Sequence, residues 1–299
     1  MNKTLIIGST ALDIILEVDR LPSTAQDCHI NHQSMAIGGC AYNVQNIIQH
    51  FNVPHLFCTP VGTGIYGEYV EKQLLSKGVT SYIKVSNQDN GCCYCYVEPH
   101  GERTFLSYHG AEYTFSKEWL DAVPIDEYNK VYVCGLEVEE PTGDAIIEYL
   151  EEHQHLEVFF APGPRINSIG QSKINRIFKR SPVLHLNRDE IIAYTGKADL
   201  YEAAKALFLH TKNTILITDG GDGSYMYDGS SFIHIDPIPT QVVDTIGAGD
   251  AHIGAVIACR QRGYSFEKSL RIANAISSVV VGSKGGTLST NEFDSLNIL

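Results

Sequence analysis

The chain has 299 residues, 43% of them hydrophobic and 19% charged, the balance of a water-soluble protein that can bury a full core. Lys and Arg number 22 against 35 Asp and Glu, a formal charge of −13, which argues against a nucleic-acid backbone as partner because phosphates need cationic neutralisation. No run approaches the roughly eighteen apolar residues of a membrane span, and Met1-Asn2-Lys3-Thr4 leads into a strand without a signal-peptide profile, so a cytoplasmic protein with no membrane partner is expected.

The hydrophobic pattern predicts a strand over 4–7, an extended run over 14–18 and an alternating strand over 28–36 with one wet face. A helix follows over 41–51, where Val44, Ile47 and Ile48 recur at helical spacing. A strand over 55–61 and a helix over 66–77 complete the first βαβ rhythm of a parallel layered sheet. Runs at 94–98 and 104–107 flank Pro99-His100-Gly101-Glu102, a hairpin turn signal. With the runs at 14–18 and 28–36, this hairpin forms a small separate sheet, read as a lid.

After residue 112 the alternation resumes. Strands are expected over 130–134, 157–160, 183–186 and 214–218, and helices over 141–152, 171–179, 189–195 and 200–210. A hairpin around 227–230 precedes the stretch Val243 to Asp250; an apolar helix over 251–259 and a long helix from 266 to about 282 follow. There are no repeats, low-complexity tracts or linkers. The fold class is α/β, one domain over 1–299 with a discontinuous β lid from about 14–36 and 90–110.

Eight cysteines include one cluster, Cys92-Cys93-Tyr94-Cys95, in a run whose alternation sends Cys93 and Cys95 to one face and Cys92 to the other. No paired CxxC and no histidine at zinc spacing completes a metal site, so reduced structural thiols are expected.

The chemistry concentrates at Asp244-Thr245-Ile246-Gly247-Ala248-Gly249-Asp250. Two glycines flanking an alanine let backbone approach a ligand, and the free amides of the following helix make an anion pocket. Asp250 sits at the same place. An acid there either caps the helix or acts as a general base beside a bound phosphate.

These seven residues resemble the C-terminal signature of the ribokinase-like, or PfkB-type, carbohydrate kinases. The resemblance implies that Asp250 is the catalytic base, that Gly247, Ala248 and Gly249 form the anion hole, and that the fold is a three-layer α/β/α sandwich with a mostly parallel sheet and a small β lid. Further segments match the family in order along the chain. Asp13, in Gly8-Ser9-Thr10-Ala11-Leu12-Asp13, resembles the acid that grips sugar hydroxyls, with Ala11 where ribokinases proper have Asn. Gly38, Gly39 and Asn43 look like the N-terminal signature contacting the sugar. Arg103 in the lid hairpin and Glu137 after a strand resemble further acceptor contacts.

Asn187 and Glu190 match the family's Asn-x-x-Glu motif, which organises Mg²⁺ through water and the nucleotide phosphates, although a capped helix start explains the same letters. Thr218, Gly220 and Gly223 look like the Thr-x-Gly-x-x-Gly loop beside ATP, and Asn274 aligns with a residue near the adenine. Gly285-Gly286, with Asp244 and the Ile246 carbonyl, resembles the segments that hold a monovalent cation, K⁺. The implied activity is ATP- and Mg²⁺-dependent phosphorylation of a hydroxymethyl group on a sugar, and pairing of two copies through the lid is implied as well.

Other readings stand beside this one. A nucleoside acceptor, pseudouridine or adenosine-like, would stack on lid aromatics such as Tyr94, Tyr96 and Tyr108. A sensor would keep the nucleotide or sugar pocket without turnover. A dehydrogenase would use Gly62-Thr63-Gly64-Ile65-Tyr66-Gly67, a GxGxxG between strand and helix, although the acid expected about twenty positions on has no clear strand end.

Overall fold

The computed structural model describes residues 2–80, 82–99 and 102–298. The elements in chain order are β1 (Thr4–Ile7), β2 (Ala11–Val18), β3 (Ile30–Gly38), α1 (Cys40–His50), β4 (His55–Cys58), β5 (Pro60–Val61), α2 (Ile65–Ser76), β6 (Ile83–Lys84), β7 (Cys92–Val97) and β8 (Arg103–Tyr108). They continue with α3 (Lys117–Asp121), β9 (Lys130–Cys134), α4 (Gly135–Glu139), α5 (Gly143–Glu152), β10 (Glu157–Ala161), α6 (Gln171–Phe178), β11 (Val183–Asn187), α7 (Arg188–Thr195) and α8 (Leu200–Thr211). The last are β12 (Ile215–Thr218), β13 (Ser224–Tyr227), β14 (Phe232–Ile235), α9 (Ala248–Gln261), α10 (Phe266–Val281) and α11 (Thr290–Ser295).

The chain divides into two compact units: Met1–Gly8, Cys40–Cys58 and Phe115–Leu299 form the first, and Ser9–Gly39 and Thr59–Thr114 the second. The second unit takes in more of the chain than the lid expected from about 14–36 and 90–110, because α2 and its flanking strands belong to it as well.

In the first unit an eight-stranded sheet runs in the order β14-β13-β12-β11-β10-β9-β1-β4. Its strands from β4 to β12 are parallel, and β13 and β14 are antiparallel. Leu5, Ile6, Ile7, Val131, Tyr132 and Val133 are fully buried. Such unbroken apolar runs are what a parallel strand covered on both faces demands, and they explain why these strands read clearly in the sequence. Helices α1, α9 and α10 pack on one another as one layer. Helices α3, α5 and α6 form a second, extended by Phe178 against Tyr194 to α7 and its neighbour α8. The result is the expected three-layer α/β/α sandwich. Among the described residues no helix is long and apolar enough to cross a membrane.

The second unit holds a four-stranded sheet, β3-β2-β7-β8, and the short pair β5-β6. β2 runs parallel to β7 and antiparallel to β3, and one row across the sheet is Ala36, Asp13, Cys93 and Ser107. The sequence pattern places this sheet correctly but starts β2 three residues late, since Ala11-Leu12-Asp13 looks like loop without its partner strand. The turn residues His100 and Gly101 lie outside the described residues.

The single strand expected over 55–61 is two. β4 joins the large sheet, while β5 pairs with β6 in the other unit. The helix expected over 141–152 begins at Gly143, and α4 precedes it. The turn between β13 and β14 is held by Asp228, whose Oδ1 accepts from the amides of Ser230 and Ser231 at 2.9 and 2.8 Å.

Candidate active site

The loop from Asp244 ends at Gly247, whose backbone is left-handed with φ 74°. A Cβ there would come within 2.4 Å of the Gly286 Cα, so two stretches of main chain touch where no side chain fits. Ala248 starts α9. Its amide bonds the Thr245 carbonyl at 3.3 Å, and the first full helical bond runs from Ala251 to Gly247 at 2.8 Å. The amides of Gly249 and Asp250 fall between these two, and nothing lies within 4 Å of where a Gly249 Cβ would sit. First-turn amides beside open space suit an anion.

Asp250 is half-buried in this first turn, and its Oδ2 accepts from Nδ2 of Asn43 at 2.9 Å. Burial pushes its carboxyl up to about 6, opposed by the Asn43 amide and the nearby Cys40 thiol and reinforced by the charge of Glu137. A carboxylate of this basicity is ionised at neutral pH yet able to accept a proton from a reacting alcohol. Asn43 itself packs against Gly286, where a Cβ would come within 2.9 Å of its Nδ2. Asn43, the signature loop and the Gly285-Gly286 segment therefore meet at one point, and the amide expected on the sugar is engaged by the acid.

A cavity of about 1140 Å³ in the first unit is walled by Asn187, Glu190, Thr218, Gly220, Asp250 and Asn274 among others. Four sequence motifs thus converge on one space. Asn187 and Glu190 form a reciprocal capping box: Oδ1 of Asn187 accepts from the Glu190 amide at 2.8 Å, and Oε2 of Glu190 from the Asn187 amide at 2.9 Å. Both readings of this motif hold at once, since the capped Glu190 still lines the cavity. Burial pushes its carboxyl up, with the charges of Asp189 and Asp250 adding to the shift against the Asn187 amide. Gly223 follows Thr218 at the far end of its loop and also lines the cavity. Arg188 is paired with Asp219 in that loop.

A divalent cation fits this chemistry. Asp189 and Asp250 each act by charge on Glu190, and all three acids line the cavity, offering the oxygen donors that Mg²⁺ takes. Asp244 is placed differently: its Oδ1 accepts from the Ile246 amide and its Oδ2 from the Gly285 amide, both at 3.1 Å. It braces the loop, and a monovalent cation at Asp244 and the Ile246 carbonyl would share those oxygens.

Two expected contacts have other partners. Glu137 is fully buried and is not among the cavity-lining residues; its Oε2 accepts from the Cys134 thiol at 2.6 Å. Its charge also raises the Asp250 carboxyl. Asn274 lines the cavity, but its amide is used within the protein: Nδ2 donates to the Ile235 and Asp236 carbonyls and Oδ1 accepts from His252.

In the second unit, Asp13 lies against Gly38, where a Cβ would come within 2.5 Å of its Oδ2. Burial pushes the Asp13 carboxyl up to about 6, opposed by the charge of Arg103, the exposed first residue of β8. Gly39, with φ 100°, turns the chain out of β3 into α1.

The GxGxxG stretch is explained by the protein itself. Oδ1 of Asp89 accepts from the Gly67 amide at 2.7 Å and its Oδ2 from the Tyr66 amide at 3.4 Å. This carboxylate stands at the start of α2 where a pyrophosphate would have to be, which removes the dinucleotide reading.

Cys40, His185 and His252 also line the cavity and were not singled out from the sequence. His252 had a visible signal, a histidine two positions after Asp250 inside an apolar helix. Cys40 and His185 had none.

A model of the pfkB family of carbohydrate kinases matches residues 1–292. The uncharacterised sugar kinase YegV of Escherichia coli K12 is 32% identical over 95% of this chain and 90% of its own length. Ribokinase from Thermotoga maritima superposes with a TM-score of 0.86 at 19% identity, covering 99% of both chains. A putative ribokinase II from E. coli, solved with ATP and Mg²⁺, does so with 0.82 at 18%, again over 99% of both. At such identities the structural likeness speaks for the fold.

Proposed function

The chain belongs to the PfkB family of carbohydrate kinases, and from that premise we propose that it moves the terminal phosphoryl group of ATP onto a hydroxymethyl group of a sugar or sugar derivative. The observation that supports this reading most is Asp250. It is an acid with a carboxyl near 6, set in the first turn of a helix whose first residues, Ala248, Gly249 and Asp250, line one cavity.

In this reading Asp250 takes the proton from the acceptor hydroxyl as the oxygen attacks the terminal phosphorus, and ADP departs with the bond it breaks. The amides of Gly249 and Asp250, with Gly247 and Ala248 shaping their loop, stabilise charge on the transferring group. Asn187, Glu190, Thr218, Gly220 and Gly223 line the nucleotide's path, and Glu190 with Asp189 would hold Mg²⁺, which when bound neutralises phosphate oxygens. Asp13, Gly38, Gly39, Asn43 and Arg103 are proposed for acceptor recognition, Asp13 by accepting from hydroxyls and Arg103 by donating. The edge strand β8 presents Phe105, Leu106 and Tyr108 at 51, 59 and 70% exposure, which supports pairing of this sheet with a second copy of the chain.

The test is ATP consumption across a panel of sugars and nucleosides, with the phosphorylated position read by NMR, for the wild type and Asp250→Asn. We expect one acceptor class to be turned over, and kcat to fall about 10²–10⁴-fold in the variant with ATP binding retained. Near-normal turnover in Asp250→Asn would remove the base.

A further inference from the structure

Beside the groups that this chemistry employs runs a buried chain that it leaves idle. His185 on β11 and His252 on α9 lie ring to ring with centroids 5.1 Å apart, Nε2 of His185 being 3.0 Å from Nδ1 of His252. Nε2 of His252 is 3.2 Å from Oδ1 of Asn274 on α10. Nδ2 of Asn274 in turn donates to the carbonyls of Ile235 and Asp236 at 3.3 and 2.9 Å.

These bonds fix where the protons are. An amide nitrogen donating to two carbonyls leaves Oδ1 as the acceptor, so Nε2 of His252 holds a hydrogen. In the neutral ring Nδ1 is then bare, and the proton shared by the two rings sits on Nε2 of His185. Burial keeps both rings neutral: His185 is held well below the usual histidine value, and His252 is lowered to about 4. The chain is therefore one directed series of donors, running from a central strand through the helix of Asp250 into the backbone just after β14.

What that backbone does is visible at the cavity. Pro237, Ile238, Pro239 and Thr240 follow at once and line it, with Val242 nearby. Ile238 and Val242 are 49 and 65% exposed, so this side is apolar where the side of Asp189, Glu190 and Asp250 is acidic. A ligand whose anionic end carries a divalent cation and whose other end is flat and aromatic matches that polarity, the aromatic end lying on the proline wall.

We propose that His252 is a positioning residue for the base of the bound nucleotide: through Asn274 it pins the segment 236–240, and through His185 it ties that wall to the strand leading to Asn187. The proposal rests on the reading that this cavity holds ATP.

Calorimetric titration with ATP and with inorganic tripolyphosphate, both with Mg²⁺, separates the wall from the phosphate end without needing the acceptor. In His252→Leu, ATP binding should weaken roughly tenfold, the weight of one lost hydrogen bond, while tripolyphosphate binding stays within about twofold. In His252→Gln, whose amide can both accept from His185 and donate to Asn274, ATP binding should return most of the way. Should leucine prevent folding, Asn274→Ala cuts the same chain one link later and should give the same split. Unchanged ATP binding in the cut variants, an equal loss for both ligands, or no recovery with glutamine overturns the proposal. A wild type that binds ATP no better than tripolyphosphate overturns the cavity reading itself, and the proposal with it.

Discussion

Nδ2 of Asn43 donates to Oδ2 of Asp250 over 2.9 Å, joining the first turns of α1 and α9 across 207 positions of sequence. The bond favours the charged form of the acid in a setting where burial disfavours it. Two helix starts that look unrelated in the sequence thus hold one carboxylate between them.

Asn43→Ala should therefore raise the Asp250 carboxyl further above its present value of about 6. The acidic limb of the kcat profile should move up by roughly one to two pH units, the size of one hydrogen bond to a charged group. A limb that stays in place would mean that the amide does not act on the acid.

In the wild type, kcat should fall as pH drops through about 6, because the raised carboxyl of Asp250 takes up a proton there and can no longer accept one from the alcohol. Asp13, also raised to about 6, should add a rise in acceptor KM over the same range if it accepts from hydroxyls. Initial rates at saturating and limiting acceptor separate the two effects.

Gly247→Ala puts a Cβ within 2.4 Å of the Gly286 Cα at a backbone φ of 74°. Left-handed strain alone costs about 1–2 kcal/mol for a residue with a side chain, and the collision adds to it. A lower Tm and a loss of turnover larger than that of Gly249→Ala, where nothing lies within 4 Å, are expected from melting curves and rates on the two variants.

Acid should weaken the fold through the histidine pair. Both rings are buried neutral with folded values below the ordinary 6.5, so the unfolded chain binds protons first as pH falls. The stability they contribute is complete above about 6.5 and is lost as pH drops towards 4, the value of His252. Tm measured from pH 7 to 4 should fall less steeply in His252→Gln, which has no proton to gain.

Much of the architecture was readable because its signals are local. Fully buried parallel strands are unbroken apolar runs, and helices show their period within a few turns, so Thr4–Ile7, Lys130–Cys134 and Phe266–Val281 need no partner to be recognised. Boundaries failed where a distant partner sets them. Thr59 divides an apolar run that looks continuous, since Cys58 and Pro60 bond to strands in different sheets.

For the site, the linear order of residues determined which motifs exist and which chemistry they can perform: an acid behind a glycine loop, an Asn-x-x-Glu helix start, a glycine-rich turn after a strand. Tertiary structure alone decided what each side chain touches. Asn43 meets Asp250, Glu137 turns to Cys134, Asn274 is claimed by His252 and two carbonyls, and Asp89 fills the GxGxxG turn. The physical reason is that a polar group taken from water bonds the nearest complementary atom, and that atom comes from whichever part of the chain the packed core brings beside it.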